Sequence, residues 1–137
     1  MHPMPFRLQI GDLMTIDDVQ RLAVGVGERV VPDLDSYDAG RSEHWVEAEY
    51  RAALPATDAL VGAWEGEPGW VAFDEWPYHE VCVVLSGRVA IEDETGARAE
   101  FGAGEAFVVP AGFRGTWHTV ESTRKIFVGI TPQGASA

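Results

Sequence analysis

Cysteine is almost missing from this chain. Cys82 is the only one in 137 residues, so no internal disulfide can form and no Cys-x-x-Cys redox or metal pair exists. Positive charge is also scarce, with 10 Lys and Arg against 22 Asp and Glu and a net charge of -12. A nucleic acid or an anionic membrane would have to approach against that field, whereas a neutral, cationic or metal-chelated partner would not. No apolar run approaches the roughly 20 residues that a membrane-spanning helix needs. The opening MHPMPFRLQIGDLM lacks the charged-then-apolar order of a secretory signal, so a soluble, cytoplasmic protein with no membrane partner is expected. There is no phosphate loop, no dinucleotide fingerprint, no HExxH and no serine in a nucleophile elbow. These absences remove the common nucleotide-dependent, zincin and serine-hydrolase chemistries.

What remains is a chain of one-domain size whose second half is cut into short apolar runs by glycine and proline: VGAW, GWVAF, EVCVVLSG, RVAIEDETG, EAFVVPAG, TWHTV and KIFVGI. Short strands at close spacing with turn residues between them predict a mainly β sandwich or barrel. Glu94-Thr95-Gly96 supplies a hairpin turn and Pro110-Ala111-Gly112 ends another strand. The first half reads differently. Thr15 is an N-cap residue before IDDVQRLA, whose Ile16, Val19, Leu22 and Ala23 share a face, so a short helix ending near Gly25 and Gly27 is expected. SEHWVEAEYRAA (42–53) fits either a helix or a strand; a strand is the preferred reading. The tail 133–137 is small and polar and is expected to fray.

Two motifs carry a resemblance. Glu80-Val-Cys-Val-Val-Leu-Ser-Gly87 resembles the first cupin motif, a glutamate followed after six residues by a turn glycine. Gly104-Glu-Ala-Phe-Val-Val-Pro110-Ala-Gly112 resembles the second, and RVAIEDETGARAEFGA between them is similar to a cupin inter-motif hairpin. GAWEGEPGW, FVVPAGFRGTW and STRKIFV look most like the small cupins of the ethanolamine-utilisation and ureidoglycine aminohydrolase type. The resemblance spans about Leu60 to Pro132. It implies a cupin jelly-roll β-barrel over 60–132, homodimeric, with a small-molecule cavity. Residues 1–59 form an extension with a helix and a strand, expected to cap the barrel, extend its sheet or exchange with a dimer partner.

The resemblance also implies a divalent metal held by two histidines, the glutamate and a third histidine. Those positions map onto Asp74, Trp76, Glu80 and Gly115, so only the glutamate is kept. The expectation is therefore no cofactor, with Asp74 and Glu80 as a reduced oxygen-donor pair for manganese, iron, nickel or zinc as the alternative. Strand alternation puts Asp74, Trp76, Tyr78, Glu80, Cys82 and Val84 on one face and His79 on the other. Pro77 can insert a bulge that weakens this parity before Tyr78. In the second motif Gly115, Trp117 and Thr119 turn inward and His118 outward. Arg124 and Lys125 fit the family pattern with a structural or dimer role.

Glu80 in a valine-rich strand is expected to be a general acid or base, its pKa raised towards neutrality by the apolar barrel, with Asp74 or Tyr78 as counterpart. Trp76 and Trp117 are substrate walls or simple core. Arg114 is an anion clamp or a loop salt bridge, and Cys82 lies beside the substrate as a buried packing residue. Three functions stay open: metal-independent isomerase, lyase or hydrolase chemistry on a small polar metabolite, a metal-dependent cupin, and a non-catalytic sensor.

Overall fold

The computed structural model describes residues 13–133. Residues 1–12, and residues 134–137 of the expected frayed tail, lie outside them. Eight strands are present among the described residues: β1 (Glu28–Val30), β2 (Glu47–Arg51), β3 (Leu60–Gly66), β4 (Gly69–Phe73), β5 (His79–Asp93), β6 (Arg98–Gly102), β7 (Ala106–Val109) and β8 (Gly115–Ile130). Every pairing between them is antiparallel.

The long strands β5 and β8 organise the fold, because each belongs to two layers. The first half of β5 pairs with β7 and with the second half of β8, which carries β3, β2 and β1 in turn. The second half of β5 pairs with β6 and with the first half of β8, which carries β4. Register shifts between Val84 and Val89 bend the shared ribbon from one layer into the other. Gly87 sits in that bend with φ at +88, and a Cβ there would strike the backbone of Thr123, so the motif glycine has a steric reason. The result is the expected jelly roll, two β layers closed over an aromatic core.

Alternation holds along the second motif: Gly115, Trp117 and Thr119 are buried, while His118 points outward and meets Glu92 at 2.8 Å. The strand reading of 42–53 is realised as β2, paired to β3 from Glu47↔Gly66 to Arg51↔Gly62. Its Ala48 and Tyr50 are buried outside the barrel, against Ala63 and Val24. Its other face, Glu47 and Glu49, lines the interior.

The N-terminal helix is cut to one turn. Thr15 and Asp18 form the full capping box, but only Ile16–Asp18 coil, as a 3-10 turn. Ile16 and Val19 are 81% and 71% exposed, so the first half of the predicted apolar stripe has no surface to bury against, while Leu22 and Ala23 are half-buried. A helix this short is unstable in water without tertiary packing. The chain instead runs out extended, with the Gln20 side chain bonding both backbone groups of Ala53 (2.6 and 3.0 Å) and β1 closing the sheet edge. Within the extension, β1 and β2 lengthen the sheet beyond β3.

Candidate functional site

A cavity of about 70 Å³ is enclosed by β2, β3, β4, β5 and β8, and the sequence-predicted Trp76, Tyr78, Glu80 and Trp117 all line it. Trp76 comes from the irregular 74–78 segment. Its backbone is tied to the second-motif loop, with its N–H donating to the Phe113 carbonyl and its carbonyl accepting from Gly112, both at 2.8 Å. Its indole donates to Glu80 Oε1 at 3.0 Å.

Glu80 is the centre of the site and is 9% exposed. Its Oε2 receives Lys125 Nζ at 2.7 Å and the Cys82 thiol at 3.3 Å. Lys125, 4% exposed, also approaches Cys82 Sγ at 3.5 Å. Its ammonium lies 4.0 Å from the Trp117 ring centroid and 4.8 Å from that of Trp64, geometry in which a desolvated cation–π contact is worth about 2 kcal/mol.

This pair reverses one expectation. Burial does push the Glu80 carboxyl up, but the Lys125 charge and the three hydrogen bonds outweigh it and hold the group below its ordinary range. Burial likewise works against the Lys125 ammonium, and Cys82 and Glu80 beside it outweigh that and keep it protonated. Cys82 is fully buried, and burial with the nearby Glu80 charge pushes its thiol up to about 12, so it is an inert packing residue that touches the carboxylate. Tyr78 is also raised, by burial and then by Glu80.

Two predicted site residues are not brought in. Asp74 follows the end of β4, where the strand gives way to the bend before Pro77, and its side chain is 71% exposed. It faces Arg114 at 3.6 Å, and Arg114 also meets Glu94 at 3.6 Å, so this arginine is a surface loop bridge. Asp74 therefore does not share the Glu80 cavity, because regular alternation stops at Phe73.

The remaining polar wall comes from the N-terminal extension. Glu47 accepts from the Trp45 indole at 2.5 Å, from the Trp64 indole at 2.8 Å and from the Tyr37 hydroxyl. Glu49 is paired with Arg51 at 2.7 Å. Lys125, Glu47, Glu49, Trp45, Trp64 and Tyr37 were all missed as site residues from sequence. Parity could have found Lys125, which shares its register with Trp117, Thr119 and Phe127; Glu47 and Glu49 fall on the face of β2 opposite the apolar one, which sequence reading assigns to solvent.

The residues present do not form a chelating set for a divalent metal. Asp74 is outside, the Glu80 oxygens are taken up by Trp76, Cys82 and Lys125, and no group of three or more His, Cys, Asp or Glu poised for a metal occurs among the described residues. Nor can the third histidine position be refilled, since a Cβ on Gly115 would meet the Glu92 carbonyl and come within 2.6 Å of the Phe113 ring. G115A should cost about 1–3 kcal/mol by overpacking, read as a lowered denaturant midpoint at unchanged slope.

Residues 55–127 match the model of the EutQ-like cupin domain. The chain belongs to this family. Among solved structures, this cupin is similar to a putative ethanolamine utilization protein Q from Salmonella typhimurium (TM-score 0.58, 17% identity, 73% of this chain and 77% of that one). It is also similar to the EutQ protein of Clostridium difficile (TM-score 0.58, 18% identity, 69% of each chain). A DUF861 protein of unknown function from Pseudomonas syringae aligns at TM-score 0.65 and 19% identity, over 78% of this cupin and 46% of that chain. At these identities the likeness shows the jelly-roll fold alone. No curated protein matches it. The matched segment begins after Tyr37, Trp45, Glu47 and Glu49, so the family domain supplies most of the cavity and the N-terminal extension closes its remaining wall. No helix among the described residues is long and apolar enough to cross a membrane.

Proposed function

We propose that this cupin binds a small polar molecule in its barrel without a metal, with the Lys125 ammonium as the positive charge beside the motif glutamate. The observation that carries this reading is the 2.7 Å contact between Lys125 Nζ and Glu80 Oε2 under the faces of Trp64 and Trp117. A fixed internal cation occupies the one family carboxylate that remains, so a divalent ion would have to displace a buried, hydrogen-bonded ammonium. The cavity also contains Glu47 and Glu49, and its carboxylates outnumber its cations; a neutral or cationic ligand of a few non-hydrogen atoms fits it better than an anion. The test is to follow the indole N–H signals of chelator-treated protein while urea, acetamide, methylammonium and formate are added in turn. Saturable shifts with a neutral or cationic probe, and none with formate, support the reading. Binding that appears only after a divalent metal is supplied would reject it.

A second reading is proton-transfer chemistry of the isomerase, lyase or hydrolase type, favoured by the ionised Glu80 and by Tyr78 on the same cavity. Glu80 would then be the base and Lys125, not Asp74, the donor. Both groups are held away from neutrality, which makes each a poor proton relay at pH 7. Chemical change in a bound probe, lost in E80Q, would select this reading over simple binding.

We also propose that the working unit is a homodimer formed by the outer face of β5, β7 and β8. Cross-strand pairs Val81↔Val108 and Val83↔Ile126 lie there, with Val83, Val108 and Ile130 at 36%, 58% and 46% exposure. An apolar sheet face of this kind is normally covered. V83E with V108E should convert a dimer to a monomer in light scattering while the far-ultraviolet circular dichroism of the fold is retained; a wild-type monomer at micromolar concentration would refute the interface.

A further inference from the structure

A second cavity, of about 340 Å³, opens between β6 and β7. Among the described residues these strands pair only with β5, β6 with Arg88–Glu92 and β7 with Glu80–Val83, so the two layers part between two free strand edges. The floor is aromatic, with Phe101 and Phe107 stacked at 4.1 Å and 17°. Phe107 backs onto Trp117 at 6.1 Å and Phe113 onto Trp76 at 5.9 Å, so a partition two rings thick separates this cleft from the Lys125 cavity.

Every lining side chain is apolar except Asp93 and Arg98. Asp93 Oδ1 is committed to the β5–β6 turn, accepting from Thr95 N at 2.8 Å, Thr95 Oγ1 at 2.6 Å and Ala97 N at 3.1 Å. Arg98 has a weaker hold. It reaches Glu100 at 3.5 Å, and Arg88 takes the same carboxylate at 3.3 Å, so two guanidiniums share one acid. That leaves Arg98 with only a shared carboxylate, at 3.5 Å, at the rim of an otherwise apolar cleft.

We propose that this cleft is a second ligand site, selective for a flat hydrophobic monocarboxylate whose ring lies on the Phe101–Phe107 pair and whose carboxylate meets Arg98. Its volume lies within the roughly 300–1,000 Å³ of small-molecule pockets, and a bidentate guanidinium–carboxylate contact supplies orientation.

The experiment is an amide NMR titration of the full chain with benzoate, benzamide and benzylammonium. Saturable shifts at Ala99, Phe101 and Phe107 are expected, with the Trp45 and Trp64 indole signals unmoved and benzoate bound most tightly. R98Q should weaken benzoate roughly five-fold and leave benzamide unchanged, the size expected of a partly exposed ion pair. A99W should fill the cleft and abolish binding of both. Arg98 is 38% exposed, so R98Q should keep the wild-type melting temperature. Equal affinity for the three probes, unweakened benzoate binding by R98Q, or shifts confined to the indoles of the first cavity would each overturn the assignment.

Discussion

Replacing Lys125 with methionine should destabilise the protein by about 3–5 kcal/mol at pH 7, because the substitution leaves Glu80 buried beside a hydrocarbon instead of an ammonium. The loss should depend on pH in a defined direction. In the wild type the Glu80 carboxyl is held below its ordinary 4.5, so its contribution is fully present above that value and drains away as the pH falls through the folded-state pKa. In K125M burial is opposed only by the Trp76 and Cys82 hydrogen bonds and should raise the folded value above the unfolded one, so the penalty is absent below about 4.5 and grows as the pH rises. The gap between the two proteins should therefore narrow steadily below about pH 5. The double variant E80M/K125M should recover most of the stability, since an apolar pair of similar volume is often neutral or better. Urea unfolding of the three proteins from pH 4 to pH 8 measures all of this. A K125M penalty independent of pH would show that Lys125 contributes only packing against Trp64 and Trp117.

The second large effect is expected at Glu47. E47L should cost about 3–5 kcal/mol, because it strips the acceptor from two indole N–H groups and a phenol at once and each buried orphan donor costs about 1–3 kcal/mol. E47Q keeps a carbonyl acceptor and should cost less than half as much. The two variants also separate stability from closure. Tyr37 and Trp45 precede β2 and are tied to it through Glu47, so E47L should raise amide exchange over the 34–45 segment well beyond the rest of the chain. Uniform acceleration across all strands would mean that Glu47 supports only the fold.

Alternation within β5 and β8 is enough to place Glu80, Cys82, Trp117 and Thr119 inside, and the two motif turns are legible because glycine and proline mark them. The rule failed wherever the backbone left the strand. Asp74 was assigned inward by counting back through Pro77, and the bend after Phe73 turned it to solvent. Lys125 reads from the family pattern as a structural or dimer residue, because what makes it part of the site comes from separate segments: Glu80 on β5, Trp64 on β3 and Trp117 earlier on β8. The apolar barrel expected to raise the Glu80 pKa is real, but one ammonium at 2.7 Å outweighs it. Glu47 was hidden by a different assumption. On β2 the apolar face packs outside against Val24 and the acidic face looks inward, the reverse of a strand with one wet side. The 15–23 helix had correct capping chemistry and no packing partner, and capping alone does not hold so short a helix.

The most direct test of an internal cation in place of a metal is metal analysis of protein purified without chelator, paired with melting temperatures in the presence of manganese, iron, nickel or zinc. Wild-type protein should contain far less than one equivalent of any of them and gain no thermal stability from their addition. A stoichiometric metal whose removal lowers the melting temperature, and whose binding is lost in E80Q, would contradict the role given to Lys125.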